Sequence, residues 1–167
     1  GSSRFGPGNK WGTFPSVALG WRISEEQFLQ NSFVSNLKLR TSYGVTGNQN
    51  IGNFAYLALA STGVTVFGND AYVSNTPRTF ANNNLKWESA KQTSIGLDLG
   101  LFNNRVNLTG EYYYISNEDI LVQIPKPPVA GVSSDPTVNL GSLLNKGVEF
   151  SLSTVNISNR KFTWSTN

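Results

Sequence analysis

In Trp11-Gly12-Thr13-Phe14-Pro15-Ser16-Val17-Ala18-Leu19-Gly20-Trp21-Arg22-Ile23-Ser24, bulky residues recur at every second position. Odd positions carry Trp11, Thr13, Pro15, Val17, Leu19, Trp21 and Ile23; even positions carry Gly12, Phe14, Ser16, Ala18, Gly20, Arg22 and Ser24. A period of two sends the two sets to opposite faces of an extended chain. One face is bulky and apolar; the other, Phe14 apart, is small or polar. The run is long for a globular strand, whose usual length is about five or six residues. Trp11 and Trp21 share a face. At ~3.3 Å per residue and a tilt of ~40°, their spacing projects to roughly 25 Å, the height of the apolar band between the aromatic girdles of a transmembrane barrel. Pro15, with no N–H to give, weighs against a fully hydrogen-bonded central strand.

The same alternation continues outward. Ser24 to Asn36 reads as a short turn holding one helical turn, with Ser24 a candidate cap. Leu37, Leu39, Thr41, Tyr43 and Val45 then oppose Lys38, Arg40, Ser42, Gly44 and Thr46. Ile95, Leu97, Leu99 and Leu101 alternate with Ser94, Gly96, Asp98 and Gly100, and Val106, Leu108, Tyr112 and Tyr114 with Asn107, Thr109, Glu111 and Tyr113. Between them, Phe102-Asn103-Asn104-Arg105 predicts a tight turn in which the two asparagines supply left-handed dihedrals. Val148, Phe150 and Leu152 alternate with Glu149, Ser151 and Ser153, a turn is expected near Asn156 to Asn159, and Phe162 and Trp164 open a last strand.

The expectation is therefore an all-β chain: an antiparallel meander of about six long strands at about 11–24, 37–46, 87–101, 105–116, 146–155 and 160–167. Two long segments, about 47–86 and 117–145, are rich in Gly and Asn or broken by Pro125, Pro127, Pro128 and Pro136, and read as large loops. Connections then run short, long, short, long, short. That asymmetry is the one expected of an outer-membrane barrel, with short periplasmic turns and long extracellular loops. Patterning alone leaves open a soluble antiparallel sandwich with one wet face, for example a carbohydrate-binding module.

Composition narrows the chemistry. The 167 residues contain no Cys and no His, which removes disulfides, thiolate zinc sites, cysteine nucleophiles and the commonest general base. With 13 basic and 10 acidic residues spread along the chain, the net charge of +3 is no footprint of nucleic-acid binding. Glu25-Glu26, Glu118-Asp119 and Asp135 offer no readable glycosidase pair, and Asn69-Asp70 and Asn117-Glu118-Asp119 lack EF-hand spacing. No enzyme, metal or cofactor is expected. No run of 18 apolar residues is present, so no transmembrane helix is expected, which leaves strand-built membrane proteins untouched.

Several blocks, taken in order, resemble a known family. Ser3-Arg4-Phe5-Gly6, Trp11 to Arg22, Leu37-Lys38-Leu39-Arg40 with Ser42 to Gln49, Glu88 to Leu101, and Asn145-Lys146-Gly147-Val148-Glu149 are similar to the C-terminal half of SusC/RagA-type TonB-dependent transporters. The resemblance implies a segment of a barrel of about 22 strands with a plugged lumen, in the outer membrane of a Gram-negative bacterium. It implies import of oligosaccharides or peptides, a SusD-like lipoprotein capping the barrel, and TonB acting on a plug. A plug domain, a TonB box and a terminal strand ending in an aromatic residue are not found in these residues, so the expectation is a piece of wall that does not transport alone.

On that reading Trp11, Trp21, Tyr112, Tyr114 and Trp164 form the lipid-facing girdle, and Arg22, Lys38, Arg40, Asp98, Glu111 and Glu149 face the lumen. The apolar stripes carry no charge, consistent with a cost of roughly 2–4 kcal/mol for a cation near the bilayer midplane. Tyr56, Phe67, Tyr72 and Phe80 are candidates for contact with a ligand or a capping partner, or for pinning their own loops.

Overall fold

Residues 1–29 and 33–167 are described by the structure, a computed structural model. A period-two sequence yields long strands, which hydrogen-bond to sequence neighbours. The six-stranded antiparallel sheet is built from β1 (Ser16–Arg22), β2 (Val34–Asn48), β5 (Glu88–Leu101), β6 (Val106–Glu118), β9 (Ser142–Asn159) and β10 (Phe162–Thr166), each beside the next of that series. Two short hairpins complete the strands: β3 (Ala60–Phe67) with β4 (Asp70–Pro77), and β7 (Leu121–Gln123) with β8 (Thr137–Asn139).

The chain forms two compact units. One comprises Gly1–Phe14, Thr46–Ala90 and Asn117–Leu143; the other comprises Pro15–Val45, Lys91–Ser116 and Leu144–Asn167. We call the first the loop body and the second the sheet unit.

In the sheet unit, the register of β1 on β2 pairs Val17 with Tyr43, Leu19 with Thr41 and Trp21 with Leu39, and on the other face Ala18 with Ser42, Gly20 with Arg40 and Arg22 with Lys38. A one-residue slip would exchange the faces, so this register preserves the two sets set by alternation. The β5–β6 turn has three consecutive residues at positive φ: Phe102 at 53°, Asn103 at 57° and Asn104 at 60°. Asparagine tolerates that region; for Phe102 it costs roughly 1–2 kcal/mol. Stacking of Phe102 on Phe33, with centroids 6.0 Å apart, and donation from Phe102 N–H to Phe33 O at 3.0 Å hold it there.

Several boundaries depart from the sequence expectation. The first strand spans 16–22 rather than 11–24. Pro15 cannot donate to the ladder, although its carbonyl accepts from Val45 N–H at 2.9 Å. Ser24 lies inside a 3-10 turn, Ile23–Glu25, whose cap position is Arg22 without a side-chain cap bond. A second such turn covers Gln27–Leu29; residues 30–32 of the expected turn lie outside the described residues. The last turn falls at Arg160-Lys161, because β9 runs on to Asn159. There the register steps from Trp164↔Ile157 to Ser165↔Val155, leaving Asn156 as a bulge. The bulge keeps Ile157 and Trp164 on the face of Leu152, which strict alternation would have denied Ile157. Asn156 Nδ2 donates to Thr166 Oγ1 at 2.7 Å across it.

The two long connections are also more ordered than the sequence suggested. Within 47–86, β3 and β4 pair over their full length around Gly68-Asn69, with Gly68 at φ 63°. A positive φ at the first central residue is what a II′-type turn requires of glycine. Within 117–145, β7 and β8 pair beneath a proline-rich tip, and residues 142–145 already belong to β9.

Among the described residues, the buried hydrophobic side chains are Phe5, Ile51, Leu85 and Val132, and all four belong to the loop body. Phe5, Ile51 and Leu85 form one cluster, with Ala55, Tyr56, Trp87 and Leu121 packed against it. Asn139 ties its segments together: Oδ1 accepts from Lys86 N–H at 2.9 Å, and Nδ2 donates to Lys86 O and Asp119 O, both at 2.8 Å. Glu88 Oε2 accepts from Leu121 N–H at 3.1 Å and from Asn48 Nδ2 at 3.4 Å. Lys86 Nζ meets Asp119 Oδ2 at 2.8 Å.

Candidate functional site

Two faces of the sheet unit and the aromatics of the loop body are the candidate sites. On the polar face, Arg40 lies at the centre of a charge network. Its Nε donates to Asp98 Oδ2 at 2.9 Å, and its Nη2 donates to Asp98 Oδ1 at 3.3 Å and Glu111 Oε2 at 3.5 Å. One guanidinium therefore engages carboxylates of both β5 and β6. Gly96 makes this reach possible: a Cβ there would stand 2.8 Å from Arg40 Nη2. Farther along the same face, Ser42 and Ser94 share a hydroxyl hydrogen bond of 2.8 Å. Tyr113 lies over Gly147, where a Cβ would meet its hydroxyl at 2.6 Å. Glycines thus let long side chains lie flat across the neighbouring strand.

Arg22 and Lys38, also expected on this face, are direct cross-strand partners. Lys38 leans over β1, its Cε 3.6 Å from the Cβ position of Gly20. Neither cation has a carboxylate within 4.0 Å among the described residues. The structure brings Arg40, Asp98 and Glu111 together, sets Arg22 and Lys38 side by side, and leaves Glu149 exposed on β9 outside the network.

The apolar face stays open. Leu19, Leu97, Phe150 and Leu152 are all exposed, Phe150 at 76%. Among the described residues, no buried hydrophobic side chain comes from the six strands of the sheet. A soluble sandwich would have covered this face with a second layer. Trp21 and Trp164 lie within two residues of the strand ends beside the short turns, and Trp21 Nε1 donates to Glu26 Oε1 at 3.0 Å. Tyr112 and Tyr114 lie six and eight residues beyond Val106, at the start of β6. Eight residues of tilted strand project to roughly 20 Å.

Trp11 does not lie on β1. It precedes β1, belongs to the loop body, and is 84% exposed with its ring over Gly1. The ruler from Trp11 to Trp21 therefore does not lie along one strand. Phe14 supplies the physical reason. It breaks the small-residue face, and its ring takes the space beside Gly12 and Gly47 and meets Trp87 edge-on, centroids 5.2 Å apart. That packing holds Trp11 to Phe14 in the loop body.

Of the loop aromatics, Tyr56 packs against the buried cluster. Phe67, Tyr72 and Phe80 are exposed, with Phe67 and Tyr72 in edge contact at 6.3 Å. Sequence reasoning missed the β3–β4 hairpin, although Gly68-Asn69 between Val64-Thr65-Val66-Phe67 and Ala71-Tyr72-Val73 is a hairpin signal. It also missed Asn139, for which no local pattern exists.

These geometries meet a consistent set of likenesses. The TonB dependent receptor-like, beta-barrel family matches residues 1–167. The chain belongs to that family. It is 46% identical to a TonB-dependent receptor of Formosa agariphila over 99% of its length, and 43% identical to the TonB-dependent receptor SusC of Bacteroides thetaiotaomicron over 98%. It spans 17% of the length of each of these relatives. Among solved structures, it is similar to a chain of the RagAB peptide importer in its closed-closed state, with a TM-score of 0.81 and 34% identity, covering 95% of this chain and 17% of that one. In the open-open state of that importer the TM-score is 0.79. The open sheet is a segment of a TonB-dependent β-barrel, of the SusC and RagA kind.

Proposed function

We propose that this chain forms part of the barrel wall of a transporter in the outer membrane of a Gram-negative bacterium, one that imports oligosaccharides or peptides under TonB control. The observation that carries the reading is the uncovered apolar face of the six-stranded sheet, opposite a polar face with an ion-paired Arg40. In hydrocarbon, backbone polar groups must be satisfied within the protein, and strands manage this only in a closed barrel. Trp21, Tyr112, Tyr114 and Trp164 then sit at the lipid interface, while Arg22, Lys38, Arg40, Asp98, Glu111 and Glu149 line the lumen. Trp11, which precedes β1, belongs to the loop body. Phe67, Tyr72 and Phe80 are exposed for contact with substrate or with a SusD-like lipoprotein, and TonB acts through a plug contributed by the rest of the polypeptide. The role is structural rather than enzymatic.

Uptake of fluorescent oligosaccharides and oligopeptides by cells carrying the full-length gene, with and without a protonophore, tests this. Entry of one class, abolished by the protonophore, is expected. Entry of neither class, or recovery of the protein in the soluble fraction, contradicts the proposal.

A further inference from the structure

The β3–β4 hairpin presents two unlike faces. On one, Val64 pairs with Val73 and Val66 with Ala71, and the polar pair Thr62 and Asn75 is spent on its own hydrogen bond of 3.2 Å. On the other, Thr65 pairs with Tyr72 and Phe67 with Asp70, followed toward the base by Gly63 with Ser74 and Ser61 with Thr76. Phe67 and Tyr72 meet edge-on at 6.3 Å, and both are exposed. Hydroxyl side chains continue from this aromatic tip along both strands, and Gly63 leaves the floor between them flat. The alternation extends one pair past the strands. Arg78 N–H donates to Leu59 O at 2.6 Å, which brings Leu59 and Arg78 onto the same face. Both line a cleft of the loop body, together with Thr79, Gln123, Asp135 and Thr137. From Leu59 to Phe67 the face runs roughly 26 Å at ~3.3 Å per residue. Between Asp70 at the tip and Arg78 at the base it carries no charge.

We infer that this face binds a neutral oligosaccharide, with Phe67 and Tyr72 stacking on sugar rings and the chain leading into the cleft at Arg78. An aromatic ring takes the C–H face of a sugar, while hydroxyl and amide side chains both donate to and accept from sugar hydroxyls. The length without charge suits a neutral polymer. An extended peptide would instead add to a strand edge, and at the base of β4 that edge is already taken: Ser133 and Ser134 N–H donate to Pro77 O and Arg78 O at 3.1 and 2.8 Å. The inference rests on the proposed transporter reading and narrows its substrate to one class.

The test is binding of the full-length protein, purified in detergent, to an array of neutral hexasaccharides of glucose, mannose, galactose and xylose printed beside hexapeptides. Binding to at least one hexasaccharide is expected. Tyr72→Ala and Phe67→Ala should each weaken it roughly tenfold, and Thr65→Val, which keeps a β-branched side chain and removes only the hydroxyl, about threefold. Val64→Thr/Val73→Thr, on the opposite face, should leave it unchanged. Binding of no hexasaccharide, or equal losses from both faces, overturns the inference. So does a Tyr72→Ala variant that loses a copurifying lipoprotein, or a bound hexapeptide, while sugar binding stays intact. Uptake separates this failure from that of the transporter reading: protonophore-sensitive entry of peptides alone removes the sugar site and keeps the transporter, whereas entry of neither class removes both.

Discussion

The loop body buries Phe5 and Leu85 completely, whereas the sheet unit leaves Leu19, Leu97, Phe150 and Leu152 open along one face. The two regions are folded from one chain by one hydrophobic effect, yet dispose of apolar area in opposite ways. The loop body behaves as a small water-soluble domain does: an aromatic and aliphatic cluster inside, and polar groups tied by Asn139 and Glu88. The sheet unit satisfies its backbone by strand pairing and its charges by the Arg40 network, and leaves its apolar side chains for the surroundings to cover. The difference separates a part with an apolar core of its own from a sheet whose apolar face is left open, as in a segment of a β-barrel.

The largest expected effect lies in the loop body. Phe5→Ala removes a fully buried ring and costs roughly 3–5 kcal/mol. Limited proteolysis of the full-length protein is expected to cut within 46–90 and 117–143 while the barrel keeps its heat-modifiable mobility. Loss of both together would erase the distinction between the units.

Next comes a pair of substitutions on opposite faces of β5. Leu97→Arg places a cation on the apolar face and costs about 2–4 kcal/mol in a bilayer; Ser94→Arg, on the polar face, costs little. Urea titration of the full-length protein folded into vesicles measures both, and equal costs would contradict the assignment of faces.

Asn139→Ala removes three hydrogen bonds and leaves Lys86 N–H without its acceptor, a loss of about 1–3 kcal/mol. Faster hydrogen exchange at the Lys86 amide is the expected readout. The smallest effect is at Arg40→Ala. Its ion pairs are about one-third exposed, so screening limits the cost to roughly 1 kcal/mol or less, and the effect should shrink as salt is added.

Much of the sheet was legible in the sequence because a half-solvated strand writes its two faces as alternate residues. The stripe from Ile95 to Leu101 and the asparagines of the β5–β6 turn could be read in this way. Lumen and girdle candidates were nominated by parity, and parity places Arg40, Asp98 and Glu111 on one face without disclosing that they pair. Contacts between strands distant in sequence decide that. The first strand was read too long because alternation continues past Pro15, while the packing of Phe14 on Trp87 depends on a residue far along the chain. Asn156 broke parity through a bulge, and the β3–β4 hairpin was obscured by its polar, glycine-rich surroundings.

The most direct test is accessibility, residue by residue, along β5 and β6 in bilayers. These 167 residues contain no cysteine, so single spin labels can be placed at 94 to 99 and 107 to 112 of the full-length protein without competition from this segment. Collision with oxygen, which dissolves in lipid, is predicted to peak at 95, 97, 99, 108, 110 and 112 and to fall at the residues between them. Accessibility without a period of two, or a water-soluble nickel relaxant reaching both faces equally, would contradict a wall with one face in lipid.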